Sequence, residues 1–140
     1  MIDSPDADFE LQYELPEKAV YVNTDKDRME QVLDNLILNA KQNVRPGGIL
    51  KISLTEREGR LDFSVFDEGE PIPGESLPKI WTKFYRDKNS RYGGSGLGLA
   101  IVAQILSMQH LNYGVQNKEE GVEFYFSIPA DNKPKTQYNL

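Results

Sequence analysis

The chain has 140 residues, enough for one domain with its own core and too few for two. A net charge of −6, no cysteine and a single histidine exclude disulfides, thiolate chemistry and a histidine-rich metal site, and argue against general nucleic-acid binding. Apolar residues make up 39% of the chain, yet no run is long enough to span a membrane and no signal peptide opens it.

Residues 1–8 are polar and acidic and are expected to form a disordered extension. Phe9, Leu11, Tyr13 and Leu15 then alternate, the pattern of a half-buried strand. Pro16-Glu17 turns the chain, and residues 19–22 predict a second short strand. Thr24, with Asp27 three positions on, reads as a capping box that opens a long helix. Met29, Val32, Leu33, Leu36, Ile37 and Ala40 form its apolar stripe. Asn35 and Asn39 stand one turn apart at the edge of that stripe. Asparagine is a mediocre helix former, so the pair suggests a function; the alternative is hydrogen bonding across to neighbouring strands. Pro46-Gly47-Gly48 ends the helix.

Residues 49–55 and 61–66 are alternating strands joined through Glu58-Gly59-Arg60, a predicted hairpin. The second strand runs into Asp67-Glu68-Gly69-Glu70-Pro71-Ile72-Pro73-Gly74, a turn-rich loop. One or two amphipathic turns are expected around Leu77, Ile80, Trp81 and Phe84. Residues 79–91 carry Lys79, Lys83, Arg86, Lys88 and Arg91 against the single acid Asp87, either an anion-attracting surface or a solvated loop. Next comes Arg91-Tyr92-Gly93-Gly94-Ser95-Gly96-Leu97-Gly98-Leu99-Ala100-Ile101, four glycines in six positions that switch abruptly into a helix. Such a junction lets the backbone and the helix N-terminus approach a phosphate; taken alone it reads equally as a flexible loop before a packed helix. Leu97, Ala100, Ile101, Ile105 and Met108 mark that helix, and His110 falls at its end. Residues 113–115 and 122–128 give a closing hairpin around Glu119-Glu120-Gly121, and residues 130–140 are expected to be disordered.

The predicted order is ββα-ββ-loop-α-ββ. Because strands and helices do not alternate strictly, the expected class is α+β: a two-layer sandwich whose mixed, largely antiparallel sheet carries helices on one face. The glycine run follows a loop and not a strand, so this is no dinucleotide fold. No Gly-Lys-Ser/Thr closes the run, so it is no Walker loop.

Four blocks, in order, resemble the catalytic ATP-binding domain of bacterial sensor histidine kinases. That domain belongs to the superfamily shared with gyrase, the mismatch-repair ATPases and a heat-shock chaperone. Residues 25–40, with Asn35 and Asn39, are similar to the N box. Asp67-Glu68-Gly69 followed by Ile72-Pro73 resembles the first glycine box. Residues 80–86 resemble the F box and 94–99 the second glycine box, so the resemblance covers nearly all of 9–129. Three departures stand out: Pro71 replaces a glycine, Gln42 and Asn43 replace a basic residue and an aromatic, and Trp81 replaces phenylalanine. Lys41 could take over the missing phosphate contact only if its helix face allows. The Asp-Glu-Gly-Glu-Pro-Ile-Pro loop is most reminiscent of VanS-type sensors.

The resemblance implies the Bergerat ATP-binding fold over 9–129, a lid at about 74–95, and ATP with Mg²⁺ as cofactors. By similarity, Asn39 would ligate the metal and Asn35 would hold a coordinated water or phosphate oxygen. Asp67 would read the exocyclic amine of adenine beside Gly69 and Ile72. Tyr85 and Arg86 would meet the ribose and phosphates, with Arg86 at the γ-phosphate. Gly94, Gly96, Leu97, Gly98 and Leu99 would cradle the phosphates. Asn35, Asn39 and Arg86 would carry catalysis: transfer of the γ-phosphate to a histidine on a separate helical dimerisation domain, upstream of a response regulator. His110 lacks the sequence context of that acceptor and reads as a helix-end residue. The implied parent is dimeric and membrane-anchored with this domain on the cytoplasmic side; the initiating Met1 so near the first strand suggests a fragment, expected to be monomeric. The alternatives are a degenerate nucleotide-binding module that recruits a partner without phosphotransfer, and an ATPase of the superfamily. The latter is disfavoured because Asn35 stands where those enzymes keep a glutamate base.

Overall fold

Strand alternation and helical periodicity sort the chain into a sheet layer and a helix layer. The structure, a computed structural model, describes residues 8–83, 85 and 97–131. Its elements are β1 (Phe9–Glu14), α1 (Lys26–Asn43), β2 (Gly48–Arg57), β3 (Arg60–Glu68), α2 (Gly98–Met108), β4 (Asn112–Asn117) and β5 (Gly121–Pro129). The strands form one sheet in the order β1-β2-β3-β5-β4. β1 and β2 run parallel, as strands connected through a helix can, and every other pair is antiparallel. This is the mixed, largely antiparallel sheet expected. The β2–β3 connection is the two-residue turn Glu58-Gly59, with φ of 53° and 76°. Positive φ at both positions is what matches a tight turn to the twist of a hairpin.

The core lies between the layers. Leu50 and Ile52 of β2, Phe63 and Val65 of β3, and Val122, Phe124, Phe126 and Ile128 of β5 meet Val32, Leu36 and Ala40 of α1 and Leu99, Val102, Ile105 and Leu106 of α2. A fully buried leucine such as Leu36 contributes roughly 1.5–3 kcal/mol relative to an exposed one. In β3 the inward positions continue from Phe63 through Val65 to Asp67, so strand parity alone carries a carboxylate into the apolar interior.

Three local expectations are corrected. The N-cap of α1 is Asp25, whose side chain accepts from the Arg28 N–H at 3.1 Å. Thr24 instead donates its hydroxyl to Gln109 Oε1 at 2.8 Å, tying the start of α1 to the end of α2. Residues 19–22 are not a strand: only Val22 bridges, to Ala130. Both edges of β5 are taken by β3 and β4, leaving just the residues beyond Pro129 to pair. The turns at 74–83 form as expected, with Ile80 buried and the Trp81 ring edge-on to Tyr113 at 5.0 Å and Phe124 at 5.5 Å. In α2 the buried face is Leu99, Val102, Ile105 and Leu106, whereas Met108 is 73% exposed. A helix apolar on nearly every side does not declare its buried face by periodicity. Phe84, the glycines before Leu97, and the extensions 1–7 and 132–140 lie outside the described residues.

His110 closes α2 in a Schellman arrangement. Its N–H donates to the Ser107 carbonyl at 3.0 Å, and the Leu111 N–H donates to Leu106 at 2.9 Å. The φ of His110 is 57°, a conformation that costs a β-carbon-bearing residue about 1 kcal/mol or more. His110→Gly should therefore raise stability by up to about 1 kcal/mol in urea denaturation, glycine's unfolded-state freedom offsetting part of the gain. A lowered midpoint would show that the imidazole contributes more than the backbone conformation costs.

Candidate functional site

The i, i+4 spacing that stacks Asn35 on Asn39 continues to Asn43, so three amides line one edge of α1. Two of the three amide nitrogens are held by the helix itself. Asn35 Nδ2 donates to the Gln31 carbonyl at 2.9 Å, and Asn43 Nδ2 donates to the Asn39 carbonyl at 2.7 Å. These bonds leave the amide oxygens as the outward-acting ends. Asn39 is only 5% exposed, and neither its Oδ1 nor that of Asn43 meets a donor among the described residues.

β3 delivers the acid. Asp67 has no exposed surface, and neither of its carboxylate oxygens has a hydrogen-bond partner among the described residues. Burial without compensation pushes its carboxyl up from the ordinary 3.8 to about 7. Glu68, pointing the other way, fastens the strand end to the exit of α1. Its carbonyl accepts from the Arg45 N–H at 2.8 Å, and its carboxylate accepts from the Ile49 N–H at 2.9 Å and pairs with Arg45 Nη2 at 3.1 Å. A methyl group on Gly69 would lie 2.6 Å from the Asn43 carbonyl oxygen and 3.4 Å from Asp67 Oδ1. Only glycine permits this approach, and it puts the end of α1 and the carboxylate side by side.

The third wall is the start of α2. Gly98 is so close to α1 that a β-carbon there would meet Asn35 Oδ1 at 2.9 Å. Leu97 occupies the N-cap with no side-chain cap bond, and no acid sits in the first turn. The positive end of this helix thus opens beside Asn35, and Leu97 supplies no side-chain cap to its N–H groups. Leu99 anchors that turn in the core.

Ile72, 1% exposed, is held from the far edge of the sheet. Asn117 Oδ1 accepts from its N–H and Asn117 Nδ2 donates to its carbonyl, both at 2.9 Å. Tyr85 packs against the core and donates its hydroxyl to Ser76 Oγ at 2.8 Å; no bond ties it to the amides or to Asp67. Arg86, Gly94 and Gly96 lie outside the described residues. Lys41 lines the opposite flank of α1, not the asparagine edge, and Gln42 is exposed. That flank borders an apolar cavity of about 560 Å³ with walls that include Met29, Leu33, Leu38 and Phe126. It brings together none of the unpartnered acceptors, so polar chemistry belongs to the other side of the helix.

Residue pattern thus brings Asn35, Asn39, Asp67, Gly69, Gly98 and Leu99 together. It passed over two contributors. Asn43 could have been found by extending the same four-residue count by one step. Asn117 carries no local signal, since its partner is 45 positions away.

A family model described as "Histidine kinase-, DNA gyrase B-, and HSP90-like ATPase" matches residues 24–132. Sensor histidine kinase WalK of Bacillus subtilis (strain 168) is 36% identical over 121 residues, covering 82% of this chain and 20% of WalK. Sensor protein VanSB of Enterococcus faecalis (strain ATCC 700802 / V583) is 36% identical over 111 residues, covering 77% and 25%. Among solved structures, the catalytic domain of histidine kinase ThkA superposes with a TM-score of 0.78 at 32% identity, covering 88% of this chain and 81% of that one. The chain spans about a fifth to a quarter of the length of these curated relatives.

Proposed function

Because this chain belongs to the histidine kinase-, DNA gyrase B- and HSP90-like ATPase family, we propose that it is the ATP-binding catalytic domain of a longer sensor histidine kinase. It binds Mg·ATP and presents the γ-phosphate to a histidine on a helical dimerisation domain of the same kinase. A response regulator then takes the phosphoryl group. The observation that carries this reading is the set of buried oxygens on α1 and β3 that meet no donor among the described residues, with the start of α2 packed against Asn35 of the same helix edge. Those groups fit the two ends of the nucleotide. A base offering N–H groups suits Asp67; an anion suits the start of α2. A magnesium ion, which takes only one or two protein oxygens alongside phosphates and waters, suits the neutral Oδ1 of Asn39. When bound, the ion would screen charge on the phosphates.

The protein's own part is positioning. Asp67 and Ile72 orient the base, Asn35 and Asn39 fix the phosphate end, and the backbone at Gly98 allows close approach. Phosphoryl transfer asks little else of a protein than placement and charge stabilisation, which suits an acceptor supplied by a separate domain. Arg86 and Gly94 belong to this reading by their place in the sequence, within the lid at about 74–95, and Gly96 by its place just after it. The parent chain is proposed to be dimeric and membrane-anchored, with this domain facing the cytoplasm.

An ATP titration with and without Mg²⁺ tests binding. Mixing the domain with the isolated helical hairpin of its kinase and γ-labelled ATP tests transfer. Label on histidine, and none on the domain incubated alone, is the expected result. Binding without transfer would mark a nucleotide-sensing module instead, and brisk hydrolysis by the domain alone would mark an ATPase.

A further inference from the structure

Among the described residues, the buried side-chain polar atoms without a hydrogen-bond partner are Asn39 Oδ1, Asn43 Oδ1 and the two oxygens of Asp67. All four are acceptors. Leaving even one buried acceptor unmet costs about 1–3 kcal/mol, so a cluster of one sign is complementary to a ligand that brings donors. If Asn39 is occupied by a cation and Asp67 by one N–H of a base, two buried oxygens remain, the second of Asp67 and that of Asn43, and only Asn43 is then a side chain whose oxygen has met nothing.

We propose that Asn43 is a base-reading residue whose carboxamide oxygen accepts the second hydrogen of adenine's exocyclic amine. The proposal rests on the nucleotide reading above and deepens it. Three observations carry it. The Asn43 amide cannot rotate freely, because Nδ2 is committed to the Asn39 carbonyl at 2.7 Å, and this fixes which end acts as acceptor. Asn43 is adjacent to the adenine-facing acid, since a single methyl placed on Gly69 would touch both the Asn43 backbone and Asp67 Oδ1. Finally, Asn43 Oδ1 is buried and no described residue donates to it, so it is open to a donor that enters the site. An exocyclic amine has two hydrogens, and Asp67 together with Asn43 supplies acceptors for both. A base with no amine would leave both acceptors unmet; one with a carbonyl there would oppose oxygen to oxygen.

The test is a cycle between protein and ligand. Affinities for ATP and for purine riboside triphosphate, which lacks the amine, are measured by calorimetry on the full chain and on Asn43→Ala and Asn43→Leu. Wild type is expected to prefer ATP. Both variants should lose roughly 3- to 10-fold in ATP affinity, the worth of one net hydrogen bond, while holding the purine analogue as tightly as before. Comparing the two ligands on the same preparation removes any effect of partial unfolding. Equal losses for both nucleotides would make Asn43 a helix-end support and overturn the proposal, as would no loss at all. Failure of the wild type to bind either nucleotide would instead remove the nucleotide reading itself, and this assignment with it.

Discussion

Asp67→Asn is expected to flatten the pH dependence of stability and to weaken ATP binding by about 10- to 100-fold, the worth of a hydrogen bond to a charged acceptor. Both effects come from one fact: the carboxylate is completely buried and nothing within the described residues neutralises it. Its folded value of about 7 lies above the ordinary 3.8, so between those two values the native state binds more protons than the unfolded one. Stability then falls as pH rises through that window, with the full penalty present above pH 7. That difference corresponds to about 4 kcal/mol as a ceiling. Asparagine removes the charge, so the variant should lose this slope and be the more stable protein at pH 8, less the cost of a buried amide. Urea midpoints at pH 5 and pH 8 measure it. A wild-type midpoint that rises with pH over this range would contradict the assignment. ATP affinity has the opposite sign. The base needs the ionised acceptor, so wild-type affinity should drop about tenfold per unit as pH falls below 7. The same carboxylate should discriminate strongly against GTP, whose carbonyl opposes it; equal affinities would remove Asp67 from this role.

Asp67 is legible in the sequence through the resemblance of Asp67-Glu68-Gly69 to the first glycine box; its inward parity emerges only in the structure. There the residue ends an alternating strand on the inward side, where an acid has no business unless something meets it. The asparagine edge was legible from the residues themselves, since poor helix formers recur every fourth position. Features that depend on distant partners were not. Thr24 has the form of a cap, but Gln109, 85 residues on, offers its hydroxyl a partner, and Asp25 caps instead. The backbone of Ile72 is fixed by Asn117, which no window around either residue reveals. The face of α2 was misjudged at Met108 because an apolar residue at nearly every position leaves the choice to tertiary packing. Local rules encode periodicity and caps; the clamps that hold a site rigid are pairings across the sheet.

Asn39→Ala should abolish Mg·ATP binding while leaving the fold intact, which separates a ligating role from a packing one. Asn39 sits in the middle of the buried face of α1, one turn from Leu36 and beside Ala40, so a structural reading predicts a loss of stability on truncation. The chemistry predicts otherwise. Its Oδ1 has no donor to lose within the described residues, and alanine is the better helix former, so melting temperature should hold or rise. If that oxygen is the protein's ligand to magnesium, its removal should cost no less than a supporting contact to a metal does, about 10- to 100-fold or more in affinity for the Mg·ATP complex. The metal dependence is the decisive readout. Wild-type affinity should strengthen when Mg²⁺ is added to ATP in chelator, and the variant's residual binding should be indifferent to it. An unchanged Mg·ATP titration in the variant, or equal losses with and without the ion, would return Asn39 to the core as an ordinary buried amide. The outcome also bears on Asn43, whose amide donates to the Asn39 carbonyl. That bond uses the backbone, which alanine keeps, so base discrimination should survive in the variant even as metal dependence disappears.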